Sequence, residues 1–153
     1  MKKYRKNVAA IILSPSYPYD CKIFLGKRID MDIWQFPQGG IDDNESLKQA
    51  LKRELKEEIG SNNISIIAEY PEWLSYEFPS EAIKKKYDFD GQTQKYFLVK
   101  INNLNEINLQ TLEPEFVEFK FVDFKEIDKY INHFKKTIYK KVLQYFEKEG
   151  YLG

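Results

Sequence analysis

The chain has 153 residues, 24 of them basic and 24 acidic, so its formal net charge is zero. A chain of this length is sized for one hydrophobic core, and we expect a single domain over residues 1–153. Neutrality excludes a protein that coats nucleic acid by bulk positive charge, so any polyanion must bind through local side chains. Cys21 is the only cysteine and His133 the only histidine, which excludes intrachain disulfides, cysteine-rich zinc sites and most catalytic schemes with a histidine base.

The first half of the chain is predicted to contain two strands and a long helix. Apolar runs at residues 8–13 and 22–25 flank a segment rich in Ser, Pro, Tyr and Asp, a pattern typical of two strands joined by a loop. From residue 45 to residue 59 apolar side chains recur at helical spacing, and Gly60 is a natural helix end. No segment is long enough to cross a membrane, and the single cysteine fits a reducing cytoplasm.

The second half is predicted to contain three strands and a closing helix. The strands are expected at residues 65–70, 96–101 and 116–122, with long loops at residues 79–93 and 102–114. Apolar positions at residues 134–148 recur on one side, as in an amphipathic helix. Strands interspersed with helices predict an α/β (α+β) sandwich.

The helix at residues 45–59 carries acidic side chains whose positions point to a metal. Runs of mixed charge usually form a solvated face. On a helical wheel, however, Glu54 and Glu58 fall about 20° either side of Leu47, within the apolar arc, and Glu57 lies on its flank. Crowded, partly buried carboxylates need a positive partner, and oxygen ligands select Mg²⁺, Mn²⁺ or Ca²⁺. The helix therefore predicts a divalent cation together with a phosphate substrate.

The segment GGIDDNESLKQALKRELKEEIG, residues 39–60, resembles the Nudix box. It has glycine, five residues, glutamate, seven residues and then REL-x-EE-x-G, and it departs only in Ser61, where the family has an apolar residue. The resemblance implies a Nudix-type α/β/α sandwich with a mixed β-sheet. It also implies a hydrolase that cuts phosphoanhydride bonds with Mg²⁺, or with Mn²⁺ as a substitute.

The sequence outside the box resembles one branch of that family. WQFPQGG, residues 34–40, is similar to the bacterial RNA 5′-pyrophosphohydrolases and the related dinucleoside polyphosphate hydrolases, and the motifs GQxQKYF, PEF and FKK extend the likeness. The resemblance implies removal of pyrophosphate or phosphate from 5′-triphosphorylated or 5′-diphosphorylated RNA, which leaves a 5′-monophosphate and promotes mRNA decay. A dinucleoside polyphosphate (diadenosine tetraphosphate) hydrolase and a non-catalytic nucleotide-binding module of the same fold stay open as alternatives.

The resemblance assigns a metal-binding role to five residues. Glu54, Glu57 and Glu58 are expected to be catalytic metal ligands, and one of them is expected to order or deprotonate the attacking water. Glu115, in the PEF motif, is expected to add a ligand from outside the box. Gly39 is expected to let the backbone approach the metal closely.

The resemblance also assigns substrate-binding and structural residues. The RNA 5′ end or its phosphates are expected to contact Arg5, Arg28, Tyr76 and Lys135. Guanidinium and ammonium groups suit such contacts with a polyanion. Glu45, Arg53 and Gly60 are expected to be structural, with an Arg53 to Glu45 ion pair fixing the loop against the helix. Trp34 and Trp73 are expected to be core side chains rather than base-stacking platforms.

Overall fold

Eight strands and three α-helices are present in the computed structural model, which describes residues 1–153. The strands are β1 (Tyr4–Leu13), β2 (Lys22–Arg28), β3 (Trp34–Gln35), β4 (Gln38–Gly40), β5 (Ile64–Glu69), β6 (Leu74–Glu77), β7 (Gly91–Ile101) and β8 (Phe116–Asp123). The helices are α1 (Leu47–Ile59), α2 (Glu81–Tyr87) and α3 (Lys136–Lys148), and short 3₁₀ turns cover Leu104–Glu106 and Phe124–Lys129. None of the helices is long and apolar enough to span a membrane.

A parallel pair of long strands forms the centre of the sheet. β1 and β7 run in register from Tyr4 opposite Gly91 to Leu13 opposite Lys100. The sheet order is β3-β2-β1-β7-β5, with β4 antiparallel to β1, β6 antiparallel to β7 and β8 antiparallel to β2. The sheet is therefore mixed, as predicted.

Alternate side chains of β1 enter two separate cores. Ile11 and Leu13 belong to the core that contains the apolar side of α3, whereas Ala10 and Ile12 belong to the core beneath α1. A strand that is buried on both faces has a continuous apolar sequence, which explains the pattern at residues 8–13. The sheet thus lies between α1 and α3, which confirms the predicted α/β/α sandwich.

Helix α1 begins and ends at well-defined caps. The Ser46 hydroxyl accepts a hydrogen bond from the Gln49 backbone N–H at 3.1 Å, and the Gln49 side chain accepts one from the Ser46 N–H at 2.8 Å. These two bonds form a capping box, and the helix starts two residues later than predicted. Gly60 ends it at φ 79°, a left-handed conformation that favours glycine. Leu51 and Leu55 are buried against the sheet, so the helix is held in a fixed orientation.

Helix α3 and the segment before it are hydrogen-bonded to the residues that precede the box. The His133 ring lies 2.9 Å from the Trp34 carbonyl oxygen through Nε2, and the Phe36 N–H donates to the Tyr139 hydroxyl at 3.2 Å. The Phe36 and Tyr139 rings also pack with centroids 4.1 Å apart. These contacts bring the end of the chain next to the WQFPQGG segment.

The predicted loop at residues 79–93 is wrong, because it contains α2 and the start of β7. The first residues of β7, GQTQK, are polar, and polar residues at this spacing do not predict a buried strand. Gln92 and Gln94 are nevertheless buried, because β7 is paired on both sides and their amides are hydrogen-bonded. The predicted loop at residues 102–114 is confirmed apart from one 3₁₀ turn. The short strands β3, β4 and β6 were not predicted.

Candidate active site

The three acidic side chains of α1 differ in exposure in the way that the helical wheel predicts. Glu58 is 6% exposed and lies in the buried row of α1 with Leu51 and Leu55. The Glu54 side chain is 14% exposed, and that of Glu57 is 57% exposed. Glu54 and Glu58 are therefore held in or next to the apolar side of the helix, with Glu57 at its edge.

Burial makes Glu54 and Glu58 unusual carboxylic acids. It raises the pKa of Glu58 well above its ordinary value, and the charges of Glu54 and Glu115 raise it further. The Gln38 backbone N–H donates to Glu58 Oε2 at 3.2 Å and opposes this shift. Burial also raises the pKa of Glu54, to about 7, against the opposing effect of Arg53. Each carboxylate would be stabilised in its charged form by a nearby cation.

Arg53 connects the box loop to the acidic side chains. It donates to Glu45 from Nε at 2.7 Å and from Nη2 at 2.9 Å, which confirms the predicted ion pair and lowers the pKa of Glu45 to about 2. Nη2 also donates to the Gly40 carbonyl oxygen at 2.8 Å. Nη1 donates to Glu54 at 2.8 Å and reaches Glu57 at 3.3 Å. Arg53 therefore positions Glu54 in addition to fixing the loop.

Gly39 lies against the carboxylate of Glu54. A Cβ atom at Gly39 would be 1.9 Å from Glu54 Cδ and 2.0 Å from Oε2, closer than any two such atoms approach. Glycine is thus required here for the close approach of Glu54 to β4. Gly40 has the same relation to Arg5, because a Cβ there would be 2.2 Å from Arg5 Nη2. The two glycines of β4 thus allow a predicted metal ligand, Glu54, and a predicted substrate-binding residue, Arg5, to pack directly against the same short strand.

A cavity of about 470 Å³ opens beside α1, and it brings together all four predicted glutamate ligands. Its lining residues are Glu54, Lys56, Glu57, Glu58, Thr111, Leu112, Glu113 and Glu115. No three acidic, histidine or cysteine side chains in the chain converge closely enough to form a ready-made ion site. The carboxylates fit a divalent cation by their oxygen chemistry and by their shared cavity.

Lys135 is the most deeply buried cation of the site. It is 5% exposed, and burial lowers the pKa of its ammonium group to about 7, with the charge of Arg28 acting in the same direction. Nζ donates to the Gln38 side-chain oxygen at 2.7 Å and lies 5.2 Å from the centre of the Tyr76 ring. The Tyr76 hydroxyl donates to Gln92 at 2.6 Å. The structure thus brings Lys135 and Tyr76 together.

Arg28 lies near this group but is held by a neighbour. Its Nε and Nη2 donate to the two carboxylate oxygens of Asp30 at 2.7 and 2.6 Å. Asp30 was not among the predicted site residues, since an aspartate two positions away on a strand end carries no sequence signal of its own. The charge of Glu115 also raises the pKa of Arg28, so this guanidinium lies within electrostatic range of the acidic cavity.

Gln38 joins the acidic and basic sides, and sequence reasoning did not single it out. Its backbone N–H donates to Glu58, and its side-chain oxygen accepts from both Lys135 and Gln94. Gln94 in turn donates to the Asn7 side chain at 2.9 Å. The sequence signal that could have identified Gln38 was its position in WQFPQGG, directly before Gly39.

The two tryptophans differ from each other in environment. Trp34 packs against the main core, as predicted, and Lys120 Nζ lies 4.4 Å from its ring centre. Trp73 is 40% exposed, so the prediction that it is a core residue is wrong. Trp73 lies directly before β6, and Lys6 Nζ is 5.9 Å from the centre of its ring.

Comparison with known proteins agrees with the fold. Residues 3–142 match the NUDIX domain, and the chain belongs to this family of hydrolases of phosphoanhydride bonds, whose members generally use divalent metals. The chain is 63% identical to an RNA pyrophosphohydrolase of Campylobacter jejuni, over 99% of this chain and 97% of the relative. It is 53% identical to an RNA pyrophosphohydrolase of Helicobacter pylori, over 99% and 98% of the two chains.

Solved structures share the fold at low sequence identity. The C. elegans Ap4A hydrolase superposes with a TM-score of 0.66 at 20% identity, covering 94% of this chain and 98% of that chain. The E. coli dihydroneopterin triphosphate pyrophosphohydrolase gives a TM-score of 0.66 at 18% identity, covering 90% and 94%. At these identities the likeness concerns the fold alone.

Proposed function

We propose that this chain is an RNA pyrophosphohydrolase that converts a 5′-triphosphate or 5′-diphosphate end of RNA into a 5′-monophosphate. The observation that carries this proposal is the role of Gln38, which touches the buried acid Glu58 through its backbone and the buried cation Lys135 through its side chain. A metal-bound polyphosphate needs both kinds of group on opposite sides. The identity to RNA pyrophosphohydrolases over nearly the full chain supports RNA as the substrate.

In this proposal the acidic cavity holds Mg²⁺. Glu54, Glu57, Glu58 and Glu115 would be its ligands, and Gly39 keeps the β4 backbone close to Glu54. The metal, when bound, lowers the pKa of an attacking water and offsets the charge of the leaving phosphate. Arg53 holds Glu54 through Nη1 and anchors the loop through Glu45, so the carboxylate would keep its position during the reaction.

The basic side would bind the phosphates and the 5′ end of the RNA. Lys135 has a pKa of about 7 because it is buried, and a polyphosphate anion next to it would favour the charged ammonium form. Arg5 lies against Gly40, next to the metal-binding side, and its charge opposes the rise that burial causes in the pKa of Glu54. Arg28 would exchange its two bonds to Asp30 for bonds to a phosphate, since phosphate accepts the same forked geometry.

Release of label from RNA carrying a 5′ γ-³²P triphosphate tests this proposal. With Mg²⁺ present, the protein should release the label and leave a 5′-monophosphate, and the Glu57→Gln variant should lose about 100-fold or more of the rate. Equal turnover by the Glu57→Gln variant would contradict the role given to Glu57, and no release of label by the parent from any polyphosphate substrate would mean a non-catalytic nucleotide-binding module. A large preference for diadenosine tetraphosphate over RNA at equal low concentration would establish the dinucleoside polyphosphate hydrolase instead.

A further inference from the structure

A row of aromatic rings leads away from the basic side of the site to the end of α2. The Tyr76 and Phe78 ring centres are 6.1 Å apart, and those of Phe78 and Tyr87 are 5.5 Å apart. Phe78 is buried, whereas Tyr87 is 41% exposed at the last position of the helix. The exposed ring of Tyr87 is therefore fixed from behind by Phe78, two ring contacts from the ring that Lys135 covers.

Two lysines near the same end of α2 make no ion pair. Lys84, in the middle of the helix, pairs with Glu77 and Glu81. Lys85 and Lys86 are exposed and take part in none of the ion pairs of the structure. Lys86 Nζ lies 5.3 Å from the centre of the Tyr87 ring. Unpaired charge and an exposed ring thus occur together at one end of one short helix.

The ring row fixes the direction in which this end of α2 lies from the site, since it begins at Tyr76, which Lys135 covers, and ends at Tyr87. A chain that leaves the polyphosphate site in this direction therefore reaches Tyr87 and the adjacent Lys86.

Single-stranded nucleic acid binds to surfaces that combine aromatic faces with cations, because bases stack on the rings and phosphates pair with the charges. We propose that Lys85, Lys86 and Tyr87 form a second RNA subsite, which holds nucleotides on the 3′ side of the reacting end. This inference rests on the proposed function. A dinucleoside polyphosphate lacks the continuing phosphodiester chain, so the subsite selects RNA over that substrate.

A comparison of a short and a long RNA tests the subsite. The substrates are a 5′-triphosphorylated dinucleotide and a 5′-triphosphorylated, unstructured RNA of twelve nucleotides. For Tyr87→Ala, kcat/KM should fall about 10-fold on the long RNA and less than about 2-fold on the dinucleotide, because one stacked base is lost. Tyr87→Phe keeps the ring and should retain the long-RNA rate. Equal losses on both substrates, or no loss on either, would overturn the subsite.

The lysines are tested separately, so that altered packing of Tyr87 does not decide the result. Lys85→Ala/Lys86→Ala should reduce the salt dependence of long-RNA binding by a slope of about 1.4, since each phosphate contact on a single strand contributes about 0.7. The matched control is Lys141→Ala/Lys148→Ala, which removes two exposed lysines of α3 and should leave the slope unchanged. Equal slopes in both double variants would contradict the proposal.

The unmodified protein tests the proposed function in the same assay. Turnover of the dinucleotide without any advantage for the long RNA would keep the proposed function and remove the subsite. Turnover of diadenosine tetraphosphate with neither RNA hydrolysed would remove both.

Discussion

The acidic and basic sides of the site are built in different ways. The acids Glu54, Glu57 and Glu58 come from consecutive turns of one helix, whereas the basic side takes residues from β1, β2, β6 and the segment before α3. Both sides nevertheless hold charge at a cost, because burial raises the pKa of Glu58 and lowers that of Lys135. A metal would relieve the first cost and a polyphosphate the second. The fold therefore disfavours the charged form of each buried group, and that charged form is the one that the proposed ligand would stabilise.

The largest effect is expected from the acidic side. Glu58→Gln should lower kcat by about 100-fold or more, because the amide cannot serve as an anionic metal ligand. The same change removes a buried carboxylate whose charged form is disfavoured, so the melting temperature should stay level or rise. Steady-state kinetics and thermal unfolding of one preparation measure both effects.

Glu69→Gln is the matched control for Glu58→Gln, since Glu69 is exposed on β5 and makes no ion pair. It should leave kcat unchanged. A Glu58→Gln enzyme with a rate within a few-fold of the parent would show that the buried acid plays no part in the reaction. It would also mean that the acidic side does not hold the metal that distinguishes it from the basic side in this proposal.

Gly39→Ala tests whether the position of an acid matters as much as its presence. The new methyl group would occupy the place of the Glu54 carboxylate, which is the mobile end of a side chain and would be pushed aside. The fold should tolerate this change. The rate should nevertheless fall, because a displacement of the Glu54 carboxylate by about 1 Å is expected to lower it by about 100-fold. Activity and melting temperature, measured against Gly153→Ala, where nothing lies within 4 Å, check the expectation. A rate that matches this control would contradict it.

Lys135→Met should affect binding and stability in opposite directions. Loss of the ammonium group should raise KM for triphosphorylated RNA about 10-fold, since one phosphate contact is removed. Methionine fills a similar volume without a buried charge, so the variant should be more stable by about 2 kcal/mol at pH 7. Urea unfolding and steady-state kinetics measure the two effects, and a variant that is both less stable and fully active would overturn the assignment.

The pH dependence of stability gives a second readout for Lys135. Its pKa is about 7 in the folded protein and about 10.5 in the unfolded chain. Between these values the unfolded chain binds more protons, so this group makes the protein more stable as the pH rises from 7 to 10.5. Lys135→Met should lack that contribution. Urea unfolding at pH 7, 8.5 and 10 should show a flatter profile for the variant than for the parent, and parallel profiles would contradict the buried lysine.

The two sides also differ in how far the sequence predicts them. The relative positions of Glu54, Glu57 and Glu58 follow from 3.6 residues per turn, so a wheel is sufficient to place them. The contact of Gln38 with Lys135 depends instead on how β4 meets a residue 97 positions away, which no local spacing encodes. The pairing of Arg28 with Asp30 is local, but it depends on the shape of the turn after β2. The resemblance supplied Arg28 and Lys135 individually, but their partners needed the structure.

The polar start of β7 escaped prediction for a related reason. Its glutamines are buried through hydrogen bonds rather than through apolar contact, and periodicity detects only the latter. The helix α2 lies in the same predicted loop. Secondary structure is therefore hardest to predict from the sequence in the polar elements near the site. One of them, α2, supplies the residues of the proposed RNA subsite.

The smallest expected effect concerns the start of α1. Ser46→Ala removes the hydroxyl that accepts from the Gln49 N–H, which should lower the free energy of unfolding by about 1 kcal/mol. Ser46→Asp keeps an acceptor at the cap and should restore most of that loss. Because Arg53 still ties the loop to Glu45, the rate well below the melting temperature should not change. A reduced rate in Ser46→Ala alone would mean that the acidic side depends on the cap for its geometry, and the helix would then be a less rigid frame than its buried leucines indicate.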